Sequence, residues 1–212
     1  MIIRSLLTVT TLLWLSPATA FGAQTKLPKQ PLELTVELVV QSYCQASSDS
    51  AQLEMKLVLR YANVGNQKLI LYKGHDLFYQ TRIRRALTGS SANYEVLFLN
   101  SRYFDEEFES IDQSSPGKVF VMLPPGAVYE REIIVGVAVV GEKVERGNYA
   151  LRAGDHTLQL IVSTWYKSRL LAQKLRQQWA RKGFLWFDPL VSAPISFTAQ
   201  RPSSLAPCKT AE

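Results

Sequence analysis

Histidine and cysteine are scarce in this chain, two of each among 212 residues. A metal centre draws three or four ligands together. His75 and His156 each stand beside an aspartate, Asp76 and Asp155, but without His-x-x-x-His spacing. A metal site is therefore not expected, and both histidines read as structural. The sequence also lacks a Gly-x-Ser-x-Gly elbow, a Cys/His nucleophile arrangement and a Gly-rich phosphate loop. No catalytic residue and no cofactor are expected. Internal repeats and low-complexity runs are missing too. Long apolar runs are equally lacking: Leu6 to Leu15 and Ile133 to Val140 both fall short of the roughly 20 residues a membrane-spanning helix needs.

What is present begins with MIIRSLLTVTTLLWLSPATAFGA. Arg4, a short apolar run and the small residues Ala18 and Ala20 around Thr19 have the layout of a secretory signal peptide over residues 1–20. No cysteine follows the run, which speaks against a lipid-anchored N-terminus. The expected product is exported, either periplasmic or extracellular, with a polar lead over 21–31 and one domain over 32–200. At 47% apolar and 20% charged, it is globular in composition. In an exported chain, an even cysteine count predicts a Cys44–Cys208 disulfide, which would tie the tail 201–212 back to the first strand.

The domain alternates like β-structure. In LELTVELVVQ, Leu32, Leu34, Val36, Leu38 and Val40 share one face; in LEMKLVLRY, Leu53, Met55, Leu57, Leu59 and Tyr61 do the same. NVGNQ followed by KLILY predicts a hairpin return. Further strands are expected at DLFYQTRI, YEVLFLN, KVFVMLP, VYEREIIVGVAVV, NYALRA, HTLQLIVSTW and APISFTA, with SSPGK, LPPGA, ERGN and RAGD as punctuation. The fold class is mainly β: an antiparallel sandwich with one inserted basic amphipathic helix near the C-terminus.

Glu145-x-Gly147-x-Tyr149-x-Leu151 resembles the tyrosine corner of immunoglobulin-like and fibronectin-III-like β-sandwiches. Leu151 stands where that motif carries its second cysteine, so the resemblance implies the broad sandwich without an inter-sheet disulfide there. RYANVGNQKLILY resembles a hairpin of bacterial immunoglobulin-like proteinase inhibitors. That resemblance implies an alternative role, with SSPGK or the 100–117 loop entering a protease cleft.

Two stretches carry concentrated charge. DEEFESID holds Asp105, Glu106, Glu107, Glu109 and Asp112 without EF-hand spacing, and reads as a solvated insertion. It could equally lie against the basic stretch, or supply acids to a carbohydrate-active enzyme. SRLLAQKLRQQWARKGFLWF is opposite in sign. Lys167, Arg169, Lys174, Arg176, Arg181 and Lys182 contribute +6 with no acid among 167–182, so the rest of the +6 chain is balanced. Leu171, Leu175 and Trp179 recur at i, i+4, i+8, with Ser168 as N-cap and Gly183 past the end, predicting a helix over about 168–182. The apolar stripe is expected to dock on the sandwich, leaving the cations outside.

Three roles fit those cations: an acidic protein, a polyanion or an anionic membrane surface as partner. Nucleic acid is not expected. Phe184 to Phe187 follow, and Trp186 joins the six cations as a candidate contact by cation–π pairing or sugar stacking. Strand alternation would instead bury two of those four residues. The expected function is non-catalytic binding or scaffolding, with the proteinase inhibitor and the sugar-binding or carbohydrate-active protein as alternatives.

Overall fold

A computed structural model describes residues 30–73, 78–85, 95–100, 114–141, 150–165 and 167–208. The signal-peptide segment, His75, the acidic run 105–112 and the tyrosine-corner residues 145–149 lie outside them.

Twelve strands and one helix make up the described chain. The strands are β1 (Leu32–Gln45), β2 (Ser50–Asn63), β3 (Leu69–Tyr72), β4 (Phe78–Arg85), β5 (Glu95–Asn100), β6 (Phe120–Leu123), β7 (Val128–Val140), β8 (Ala150–Leu151), β9 (Gly154–Ser163), β10 (Phe184–Leu185), β11 (Leu190–Val191) and β12 (Ile195–Ala199). Helix α1 (Arg169–Gln178) lies between β9 and β10. The fold is mainly β, as expected. One sheet is ordered β1-β2-β7-β8 and a second β11-β9-β4-β5, with β12 also pairing β9. A third, small sheet is ordered β10-β3-β6. Pairing is antiparallel except between β7 and β8 and between β10 and β3.

Period-two alternation explains the main core. Leu53, Met55, Leu57, Leu59 and Tyr61 of β2 are fully buried. Val135, Val137 and Val139 of β7 join them, and Ile83, Leu158, Leu160 and Val162 meet them from the second sheet. The outward side of β2 carries charge instead. Arg60 bonds Glu130 at 2.6 Å and Glu37 at 3.2 Å, and Lys56 bonds Glu132 at 2.7 Å. Those pairs are exposed and contribute little stability.

Three expectations are corrected. Val40 does not share the face of Leu32: a bulge between Leu38 and Val40 shifts the register, leaving Val40 opposite Lys56 and 48% exposed. Beyond it Gln41 opposes Met55 and Tyr43 opposes Leu53, so the inward face passes to Gln41 and Tyr43. Second, NVGNQ does not close a hairpin between β2 and β3. The hairpin is β1–β2, closed over 46–49 with Ala46 and Ser47 N–H groups donating to Ser50 O, both at 3.1 Å. NVGNQ carries the chain out of the first sheet into the third. Buried Asn63 holds that corner: its Nδ2 donates to Gln67 O and Leu123 O, both at 2.8 Å, and its Oδ1 accepts from Gly65 N–H at 3.0 Å.

The third correction is the helix length. α1 ends at Gln178, with Trp179 as C-cap and residues 179–182 forming turns. Ser168 caps the other end as expected, its Oγ accepting from Leu171 N–H at 3.2 Å. The docking of the stripe is as expected: Ala172, Leu175 and Trp179 are buried and Leu171 is partly so. They pack on Ile70, Tyr72 and Phe120 of the third sheet and on Val119 just before β6; Leu69, Leu71 and Leu123 of that sheet face the main core. All four residues of β3 are thus buried, odd ones on one side and even ones on the other. Each large helix side chain so covered contributes roughly 1.5–3 kcal/mol.

The disulfide is present between Cys44 and Cys208, with Cα atoms 4.8 Å apart. Gln45 N–H donates to Ala206 O at 2.8 Å and Cys208 N–H to Gln45 O at 3.1 Å, laying the tail beside the end of β1. A disulfide of this kind belongs to a non-cytoplasmic, oxidising compartment. Among the described residues no helix is long and apolar enough to cross a membrane.

Candidate functional site

Where the helix ends, the chain must turn back and enter the third sheet beside β3. Gly183 makes that turn possible. Its φ is +154°, and a Cβ there would lie 2.9 Å from Lys68 O and 3.1 Å from Ile70 Cγ1. The close approach lets Phe184 N–H donate to Lys68 O at 2.8 Å and Trp186 N–H to Ile70 O at 2.9 Å. The helix end and the β2–β3 corner are thereby drawn together around an open cleft of about 450 Å³. Gln67, Lys68, Arg176, Ala180, Arg181, Lys182, Gly183 and Phe184 line it.

The six sequence-derived cations separate into groups. Arg181 and Lys182 are exposed and reach the cleft, and Lys182 Nζ also donates to Ser114 O at 3.2 Å. Arg176 is at its wall, but not as an outward charge. Its guanidinium lies 3.9 Å from the centre of the Phe184 ring and 3.8 Å from that of Phe187, and its Nε and Nη2 donate to Leu185 O at 2.9 and 2.8 Å. Burial lowers its pKa, the Asp188 carboxylate acting in the opposite sense. Arg176 joins the helix to the strand that follows, correcting the expectation that it stands outside as an outward cation.

Arg169 bonds Asp188 at 2.8 Å and lies 5.1 Å from the Phe187 ring centre. Lys174 is exposed and Lys167 half-buried; neither lines the cleft. Trp186 is not a surface ring. It is 5% exposed within the main core, and its Nε1 donates to Asp188 O at 2.8 Å. Strand alternation was expected to bury two of the four residues 184–187. The structure covers both sides: Phe184 and Trp186 pack toward the main core, Leu185 and Phe187 toward the helix. A stacking platform built on Trp186 is therefore ruled out by its burial.

Lys68 is the cleft cation that spacing did not reveal. It lies far away in sequence, and only the corner held by Asn63 brings it to the helix end. The resulting chemistry is electrostatic. Two ammonium groups and two guanidinium groups, one of them that of the packed Arg176, surround one opening, and no carboxylate is among the described residues lining it. The last helical carbonyls would oppose an anion; three carbonyls at this end are engaged, Leu175 O accepting from Trp179 N–H at 2.8 Å, Gln177 O from Ala180 N–H at 3.4 Å, and Trp179 O from Lys182 and Gly183 N–H at 2.7 and 3.1 Å.

His156 lies in the interior beside Phe197. It is 1% exposed, its Nδ1 lies 2.8 Å from Gly154 O, and its ring stacks on Phe197 with centroids 5.4 Å apart. Burial lowers its pKa, favouring the neutral ring. Among the described residues no group of three metal-ligating side chains occurs.

No family model matches this chain, and no curated protein matches it. It is similar to a solved structure, the X-ray structure of Northeast Structural Genomics Consortium target SoR45, over 85% of this chain and 92% of that one, at 11% identity and a TM-score of 0.33. That likeness is too loose to bear on architecture or function.

Proposed function

We propose that the chain is an exported, non-catalytic binding protein, its β-sheets forming an immunoglobulin-like or fibronectin-III-like sandwich, whose helix-end cleft holds an acidic segment of a partner protein. The observation that carries this reading is the convergence of Lys68, Arg181 and Lys182 on one open cleft. A carboxylate-rich segment meets complementary potential there, which steers encounter and fixes orientation more than it adds affinity. Export is supported by the signal-like N-terminus and by the Cys44–Cys208 bond. A membrane surface fits less well. An interfacial helix presents its apolar face to lipid, whereas Leu175 and Trp179 are spent on the third sheet and Leu170 is the large apolar side chain left exposed on α1.

The test is a Lys68→Gln, Arg181→Gln, Lys182→Gln triple variant, compared with the native protein for retention on immobilised polyglutamate and on anionic vesicles. The native protein is expected to bind polyglutamate in a salt-sensitive way, and the variant to lose that binding with its melting temperature unchanged. Equal retention of the two proteins, or retention on vesicles alone, overturns the reading.

A further inference from the structure

The helix-end cleft is larger and less uniformly polar than a row of carboxylates requires. At about 450 Å³ it has room for a group many waters in size, a water occupying roughly 30 Å³. Lys68, Arg181 and Lys182 are exposed and supply its charge. None of them takes part in an ion pair among the described residues. Lys182 gives one bond to Ser114 O, and an ammonium group has two further donors.

Between these cations the lining is apolar. Ala180, Gly183 and Phe184 carry no polar side-chain atom. Phe184 stands there because its N–H donates to Lys68 O as the chain enters the third sheet. One part of its ring packs against the main core, and the Arg176 guanidinium lies 3.9 Å from its centre. The ring is still only half-buried, and its uncovered part borders the cleft. Arg176 is engaged by two rings and by Leu185 O, so it serves as wall. The exposed cations add apolar surface of their own, since lysine and arginine lay their methylene stems along a protein and keep their heads in water. A purely acidic strand would meet the cations and leave this floor wet.

We propose, on the basis of the reading of this cleft as the seat of an acidic partner segment, that the segment carries an aromatic side chain between its carboxylates. The ring lies on Ala180 and against Phe184. The flanking acids meet Lys68 from the β2–β3 corner and Arg181 and Lys182 from the helix end. Charge and apolar contact then do different work. Attraction between exposed charges guides encounter and is screened by salt. A ring taken out of water gains in proportion to the apolar area covered, and a second ring beside it adds an aromatic pair. The acids orient the segment, and the ring makes the cleft selective among acidic chains.

The test compares two blocked peptides by isothermal titration: acetyl-Glu-Glu-Phe-Glu-Glu-amide and the same peptide with alanine in place of phenylalanine. Both carry the same carboxylates, so their electrostatic attraction to the cleft is equal. The phenylalanine peptide is expected to bind about tenfold more tightly. That ratio should persist as sodium chloride is raised, while both affinities fall. Place is read by NMR on protein with isotope-labelled alanine methyl groups, the Ala180 signal being the one that disappears in Ala180→Gly. The phenylalanine peptide should shift that signal and give it a nuclear Overhauser contact with the peptide ring; the alanine peptide should do neither. Equal, salt-sensitive affinities for the two peptides overturn this proposal and leave the acidic-segment reading standing. Absence of salt-sensitive binding by either peptide brings down both. A tighter phenylalanine peptide that leaves the Ala180 methyl unmoved has its ring elsewhere, which also overturns the proposal.

Discussion

Arg176 is charged, yet its guanidinium is packed between the Phe184 and Phe187 rings while two of its N–H groups hold Leu185 O. A lysine can supply the charge but neither the flat stacking surface nor the paired donation. Arg176→Lys is therefore expected to cost roughly 1–2 kcal/mol, and Arg176→Ala more, because the buried carbonyl then loses its partner as well. Urea unfolding of the three proteins side by side checks this; a lysine variant as stable as the native protein would place Arg176 on a solvated face after all. Spacing along the helix correctly put this residue away from Leu171, Leu175 and Trp179. What spacing could not show is that the chain beyond Gly183 folds back over that second face. The same blindness applies to Lys68, whose place at the cleft depends on a corner far upstream of the helix end.

At the scale of elements, legibility followed exposure. β2 and β7 each have one face in the core and one in solvent, so polar and apolar residues alternate; β7 was readable over its full extent and β2 from Leu53 onward. β10 has no solvent face: Phe184 and Leu185 are covered from opposite sides, and an unbroken aromatic and aliphatic run has no alternation to read. β3 is buried on both sides for the same reason, and its partner strands, β6 and β10, were beyond local pattern. The β1 bulge was missed, because apolar Val39 and Val40 stand side by side and either continues the inward face of Leu38 on polarity alone.

α1 is the cover that makes burial of the third sheet's outer side possible, and Trp179 is its anchor, fully buried and edge-on to Phe120 with centroids 5.1 Å apart. Trp179→Ala should cost roughly 3–5 kcal/mol, and loss of the Ser168 cap by Ser168→Ala about 1 kcal/mol. Equilibrium unfolding measures both. Hydrogen exchange should show the tryptophan variant losing protection first in β3 and β6, the strands that α1 covers.

For the whole molecule, the covalent closure has the longest reach. Cys44 and Cys208 are separated by 164 positions, and a loop of that size restricts the unfolded chain enough to stabilise the fold by roughly 2–5 kcal/mol. A Cys44→Ser, Cys208→Ser protein should unfold at correspondingly lower urea concentration. Reductant should bring the native protein to the same midpoint and leave the variant unmoved. The cysteine count, read with the signal-like N-terminus, led to this pairing, because two cysteines allow only one intramolecular bond. The helix-end cleft was not legible, for it arises where distant corners meet.

The bond also decides how the domain would carry a mechanical load. β1 runs from Leu32, at the pole of the helix end, to Cys44, at the pole of the tail. Tension applied between the two chain ends therefore passes along β1 and crosses directly from Cys44 to Cys208. The strand carries that pull along its own extended backbone, while the loop between the cysteines bears none of it. At roughly 3.5 Å per extended residue, about 570 Å of chain is kept out of the force path while the bond is closed. Reduction changes the protein from a short, stiff link into a long extensible one without altering a single side chain outside the pair.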